Sequence, residues 1–88
     1  MYVEFTRKFE RQIDLIKDAS LKNEIAEVVK TVMQTGNLSE IANLKKLKGY
    51  KTAFRIRTGH YRIGIIVQDN TIFFSAFAHR KDIYKSFP

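Results

Sequence analysis

Phe54-Arg55-Ile56-Arg57-Thr58-Gly59-His60-Tyr61-Arg62-Ile63 alternates apolar and polar or cationic side chains around a Gly-His pair. Alternation with a period of two is the pattern of a strand with one buried and one wet face. Gly59-His60 stands where a two-residue hairpin loop belongs, with glycine first as a type II′ turn requires. That loop fixes the pairing: Thr58 faces Tyr61, Arg57 faces Arg62, Ile56 faces Ile63, and Arg55 faces Gly64. Arg55, Arg57 and Arg62 then share one side of the ribbon, and Phe54, Ile56, Ile63 and Ile65 share the other. Like charges directly opposite one another destabilise a sheet. An anion seated on that face would offset the cost, and guanidinium groups grip phosphate or carboxylate through forked hydrogen bonds. The bland alternative is a solvated cationic face that keeps a sheet edge from aggregating.

Downstream, Asp69-Asn70 suits a type I′ turn between strands Tyr61–Val67 and Thr71–Ala78. Unbroken register places Gly64 opposite Ser75, Arg62 opposite Phe77, and His60 near His79. The wet face then reads Arg55, Arg57, Arg62, Gly64, Ser75, Phe77 and His79, a shallow depression at Gly64 and Ser75 ringed by cations. The segment from Arg80 to Pro88 leaves the sheet and can fold Tyr84 over that face.

Upstream, Tyr2–Phe5 reads as a short first strand with Val3 and Phe5 inward, and Thr6 can cap a helix carrying Phe9, Ile13 and Ile16 on one stripe. Ser20 is the expected cap of a second helix, in which Leu21, Ile25, Val28, Val29, Val32 and Met33 recur at helical spacing up to Gly36. The short link makes these helices an antiparallel hairpin packed on the sheet. Ser39 starts one helical turn, after which Lys45-Lys46-Leu47-Lys48 returns the chain to the sheet edge. The expected class is α+β: a small antiparallel sheet in the order β-α-α-β-β-β, a short C-terminal segment, and one domain over residues 1–88.

Charge is distributed unevenly. Residues 1–44 hold six Lys or Arg against seven Asp or Glu, a net of −1, and residues 45–88 hold ten against two, a net of +8. The strand-rich half should therefore meet a polyanion or an acidic protein. The chain has no cysteine, which removes disulfides, thiolate zinc sites and cysteine nucleophiles and suits a reducing compartment. The first residues lack a signal-peptide pattern, so the expectation is a cytoplasmic protein with no membrane partner. Zinc needs three or four ligands, and His60 with His79 offers two. Glycine-rich phosphate loops, paired glycosidase acids and a serine-hydrolase elbow are missing. What fits is phosphoryl chemistry on RNA with no metal or other cofactor, in which the 2′-hydroxyl is the nucleophile. Arginines stabilise charge on phosphorus, a tyrosine among guanidinium groups can serve as base, and His79 is a candidate acid or base.

The segments Leu47-Lys48-Gly49, Arg55 to Ile63, Asp69-Asn70-Thr71-Ile72 and His79-Arg80-Lys81-Asp82-Ile83-Tyr84 together resemble the RelE/ParE superfamily of bacterial type II toxins, over essentially the whole chain. The resemblance implies a toxin neutralised by a cognate antitoxin that wraps it. For the RelE branch it also implies mRNA cleavage in the ribosomal A site. By that resemblance Arg62 would hold the scissile phosphate. Arg80 would stabilise the transition state or help protonate the leaving group, and Tyr84 would act as base or stack on the target nucleotide. Arg55 and Arg57 occupy the positions of the family's strand lysines, with Lys45, Lys46, Lys48 and Lys81 as further RNA-backbone contacts. An arginine cannot shed its proton as a lysine base would, so the base must lie elsewhere. The ParE branch shares the fold but poisons DNA gyrase and lacks this catalytic set. A gyrase inhibitor and a non-catalytic RNA- or antitoxin-binding module therefore stand as alternatives.

Overall fold

The computed structural model describes all 88 residues. In chain order the elements are β1 (Tyr2–Phe5), α1 (Arg7–Asp14), α2 (Ala19–Gln34), a 3-10 turn (Leu38–Glu40), β2 (Leu44–Lys46), β3 (Ala53–Thr58), β4 (Tyr61–Gln68), β5 (Thr71–His79) and α3 (Ile83–Ser86). They form one five-stranded sheet in the order β1-β5-β4-β3-β2. The α+β architecture agrees with the sequence, with two refinements. The sheet is mixed, because β1 runs parallel to β5. The lysine run contributes a strand of its own, β2, antiparallel to β3 at the sheet edge.

Local signals explain the helix boundaries. Thr6 accepts a hydrogen bond from the Phe9 N–H and caps α1. The cap of α2 is Asp18, not Ser20: its carboxylate accepts from the Ser20 and Leu21 N–H groups, which removes two of the four donors a helix start leaves unpaired. α2 stops at Gln34 with Thr35 as its extended C-cap, so Gly36 lies beyond the helix and supplies no left-handed cap. A 16-residue helix is only marginal by itself in water. Burial of Ile25 and Val32 against the sheet, worth about 1.5–3 kcal/mol per side chain, holds it in place.

The β3–β4 hairpin follows the expected register: Thr58 pairs with Tyr61, Arg57 with Arg62, Ile56 with Ile63 and Arg55 with Gly64. Gly59 has a φ of +59°, as the first position of a type II′ loop demands. Asp69 and Asn70 both lie in the left-handed region, at +52° and +59°, the signature of type I′.

The β4–β5 register departs from expectation halfway along. Ile65 pairs with Phe74, yet Gly64 pairs with Ala76, so Ser75 is an extra residue in a β-bulge. Side chains of α1 satisfy the groups this frees. The Thr6 hydroxyl donates to the Ser75 carbonyl at 3.2 Å, and Gln12 Oε1 accepts from the Phe77 N–H at 2.8 Å. The bulge inverts the facing of everything after it. Phe77 joins the helix-side core, stacked on Tyr61 at 5.2 Å between ring centroids. Ala76 and Ala78, expected inside, move to the arginine face opposite Gly64 and Arg62.

Two apolar clusters result. The larger lies between sheet and helices and includes Phe9, Ile25, Val32, Ile63, Ile65, Ile72, Phe74 and Phe77. The smaller lies on the other face, where Leu47, Ala53 and Ala76 are covered by Ile83 and Phe87 from the tail. The depression expected at Gly64 is therefore filled: a Cβ there would come within 2.6 Å of the Phe87 ring. The Lys8 ammonium reaches the Ser86 carbonyl at 2.5 Å and ties the end of α3 to α1.

Candidate functional site

The tail docks α3 on one half of the sheet face and leaves the other half to cations. Register places Lys45 beside Arg55, and Arg57 beside Arg62, on that face. None of them has a carboxylate partner, since the chain's single ion pair joins Lys85 to Asp82 at 3.1 Å. Arg62 is half-buried. Its pKa is held below the ordinary arginine value, first by burial and then by the charges of Arg55 and Arg57. The nearby Tyr84 acts in the opposite sense, and Arg80 adds to the depression. Charges from β3 and the tail thus converge on Arg62.

The guanidinium groups are held by oxygen atoms of the chain itself. One Arg62 terminal nitrogen donates to the Gly59 and Tyr61 carbonyls, at 3.0 and 2.9 Å, which pins the side chain across the hairpin loop and leaves its other N–H groups free. Asn43 organises the second pair. Its carbonyl accepts from the Arg57 backbone N–H and the Arg55 side chain, and its Oδ1 accepts from the Arg57 side chain. Asn43 sits at a φ of +62°, a conformation that asparagine tolerates better than most residues. Sequence reasoning passed over it; its one signal was an asparagine directly before a strand.

Two grooves flank these side chains. The first, about 580 Å³, is lined by Arg57, Arg62, Arg80, His60 and Asn43 at the open end of the hairpin. The second, about 410 Å³, runs along β2 and is lined by Lys45, Lys46, Lys48, Tyr50, Tyr84 and Phe87. Lys46 pairs with Phe54, whose side is that of the helices, and borders the second groove from the sheet edge. Lys81 is exposed and lines neither groove.

His79 is where the bulge has its chemical consequence. It pairs with Tyr61 and packs edge-on against that ring at 5.5 Å, so it stands on the helix side and not among the arginines as expected. Its Nδ1 accepts from the Lys81 N–H at 3.2 Å, and its carbonyl accepts from the Asp82 N–H at 2.8 Å. It shapes the turn by which the tail leaves the sheet. His60 stacks on it at 6.3 Å, and no group of three metal-ligating side chains forms. No helix is long and apolar enough to cross a membrane.

Known proteins share this sequence pattern and fold. Residues 3–84 match the family described as the ParE toxin of the type II toxin–antitoxin system parDE. Toxin RelE3 of Methanocaldococcus jannaschii is 35% identical over 89 residues, covering 100% of both chains. Among solved structures, the RelB–RelE antitoxin–toxin complex from Methanococcus jannaschii superposes with a TM-score of 0.79 at 32% identity, covering 97% of this chain and 99% of that one. The YoeB dimer from Staphylococcus aureus gives 0.72 at 20% identity, covering 91% and 97%, a likeness of fold alone. By sequence and by fold, this chain belongs to the RelE/ParE superfamily of type II toxin–antitoxin toxins.

Proposed function

We propose that this toxin is a ribosome-dependent endoribonuclease that cuts mRNA in the A site without a metal, in the cytoplasm, and is held in check by a cognate antitoxin. The observation that carries the reading is the gathering of Arg55, Arg57 and Arg80 about Arg62, none of the four with a carboxylate partner, with Tyr84 near enough to act on the Arg62 charge. The antitoxin follows from the complexes in which related toxins crystallised. In the cleavage step the 2′-oxygen bonds to phosphorus and the P–O5′ bond breaks. A proton leaves the 2′-hydroxyl for Tyr84, another reaches O5′ from a solvent water, and the products are a 2′,3′-cyclic phosphate and a 5′-hydroxyl. Arg62, pinned at one nitrogen, offers its remaining N–H groups to the non-bridging oxygens where charge develops. Arg57 and Arg80 line the same groove and neutralise the attacking and leaving ends. Tyr84 takes the 2′-proton in its phenolate form, because no arginine can. His79 is assigned the positioning of the tail and no proton transfer.

In a reconstituted translation reaction the parent chain should arrest synthesis and produce cut mRNA. Arg62→Ala and Tyr84→Phe should do neither while keeping the parent's thermal midpoint. Arrest by both variants at the parent's level would overturn the catalytic assignment. The match to ParE toxins favours one second reading, a gyrase-directed toxin, which predicts loss of supercoiling with translation untouched.

A further inference from the structure

The groove along β2 contains a residue that the cleavage reading leaves unused. Tyr50 is 51% exposed and Tyr84 59% exposed, and both line this groove. Neither ring has an aromatic partner within the chain: the stacked pairs involve Phe5, Phe9, Phe74, Tyr61, Phe77 and the two histidines. Burying an apolar ring is favourable, so two large aromatic surfaces left open in one groove call for an occupant.

Tyr50 is held where it is by a built turn. Its N–H donates to the Leu47 carbonyl at 3.2 Å, and Gly49 between them has a φ of +86°, the third-position conformation of a type II turn that only glycine adopts without strain. Leu47, the first residue of that turn, is buried under the tail. The turn is thus anchored in the smaller core, and the ring is presented from a fixed base. Around it stand the ammonium groups of Lys45 and Lys48, neither paired with a carboxylate. Aromatic faces between backbone-neutralising cations are the recognition surface of single-stranded nucleic acid, where bases stack and phosphates are tracked.

We infer that Tyr50 is a second stacking platform, which takes a nucleobase of the single-stranded RNA next to the nucleotide at Tyr84 while Lys45 and Lys48 follow the intervening phosphates. The inference rests on the RNA-cleavage reading, and it assigns Tyr50 to substrate positioning, not to the chemistry.

The test uses fully 2′-O-methylated RNA hexamers, which lack the nucleophile, in a fluorescence-anisotropy titration at low salt. A set with one abasic position each is titrated alongside. Tyr50→Leu should weaken binding of the intact hexamer roughly 5- to 150-fold and leave one abasic hexamer bound as the parent binds it. Tyr50→Phe should restore parental affinity, because stacking does not use the hydroxyl. Equal affinity of Tyr50→Leu and parent for the intact hexamer, or an equal loss on every abasic hexamer, would overturn the inference. Arg62→Gln separates the two layers. If it weakens binding while Tyr50→Leu does not, the platform fails alone; if the parent itself does not bind the hexamer, the platform is likewise overturned, whereas the cleavage reading fails only if the translation reaction yields no cut mRNA.

Discussion

Gly64→Ala is the substitution that most sharply probes how the tail is seated. The added methyl would meet three atoms of the Phe87 ring at 2.6–2.7 Å, closer than carbon atoms approach in folded proteins. The ring cannot swing aside as a flexible chain end would, because it is 5% exposed and wedged with Leu47, Ala53, Ala76 and Ile83. Either β4 and the tail separate locally or Phe87 leaves its seat. Overpacking of this kind costs about 1–3 kcal/mol. Complete undocking of the ring sets an upper bound of roughly 3–5 kcal/mol, the cost of truncating a buried Phe to Ala. For a domain of this size each kcal/mol lowers Tm by about 4–8 °C, so a fall of roughly 5–20 °C is expected by calorimetry. The functional loss should exceed the loss of fold. Tyr84 lies on α3 between the two anchors Ile83 and Phe87, and a misplacement of about 1 Å can cost on the order of 100-fold in rate. The double substitution Gly64→Ala/Phe87→Ala isolates the cause: with the ring gone the methyl has nothing to strike, so the two effects should be far from additive. Gly36→Ala is the control, since its Cβ would find only the Glu40 carboxylate at 4.0 Å. A Gly64→Ala protein that melts and arrests translation like the parent, or strictly additive losses in the double variant, would refute the packing described.

Four further outcomes are expected. Arg57→Gln relieves repulsion on Arg62 and should stabilise the fold by about 0.2–1 kcal/mol at low salt, an advantage that shrinks as salt screens the cluster, while RNA affinity falls; destabilisation at low salt would contradict the repulsion. Asn43→Ala strains a left-handed position and removes the Oδ1 acceptor of the Arg57 side chain, so chemical denaturation should show a loss of about 1–2 kcal/mol, with Asn43→Gly losing less. Gln12→Leu leaves the Phe77 N–H in the bulge without its partner and should cost roughly 1–3 kcal/mol by the same measurement; an unchanged midpoint would mean that the bulge does not depend on α1. If Lys45, Arg55, Arg57, Arg62 and Arg80 all meet phosphates, log affinity for single-stranded RNA should fall against log salt with a slope near −3.5, about 100-fold between 50 and 200 mM. A flat dependence would remove the electrostatic seat.

The hairpin from Phe54 to Ile63 was legible residue by residue, because a two-residue loop and strict alternation leave one register. The bulge at Ser75 was not. Thr71 to His79 alternates no worse than a regular strand, and the extra residue is fixed by contacts from Thr6 and Gln12, far away in sequence. From that one slip came the misplacement of Phe77, Ala76, Ala78 and His79. The open depression expected at Gly64 and Ser75 is absent: Gly64 pairs with Ala76 and its missing side chain makes room for Phe87, which is visible only once the tail is folded back. Arg62 with Tyr84 nearby was anticipated because both follow from short-range order: hairpin register for one, a brief tail leaving β5 for the other. Asn43 and Tyr50 escaped notice because their roles depend on backbone conformation at single positions, to which hydrophobic periodicity is blind.

The central claim is that these arginines and Tyr84 act on an RNA phosphate through the substrate's own 2′-hydroxyl. The most direct test is to map and chemically characterise the ends of mRNA recovered from programmed ribosomes treated with the toxin. The account predicts one cut within the A-site codon, a 2′,3′-cyclic phosphate on the upstream fragment, a 5′-hydroxyl on the downstream one, and no cut when the nucleotide 5′ to the scissile phosphate is 2′-deoxy. A 3′-hydroxyl with a 5′-phosphate, or undiminished cutting of the 2′-deoxy message, would contradict it.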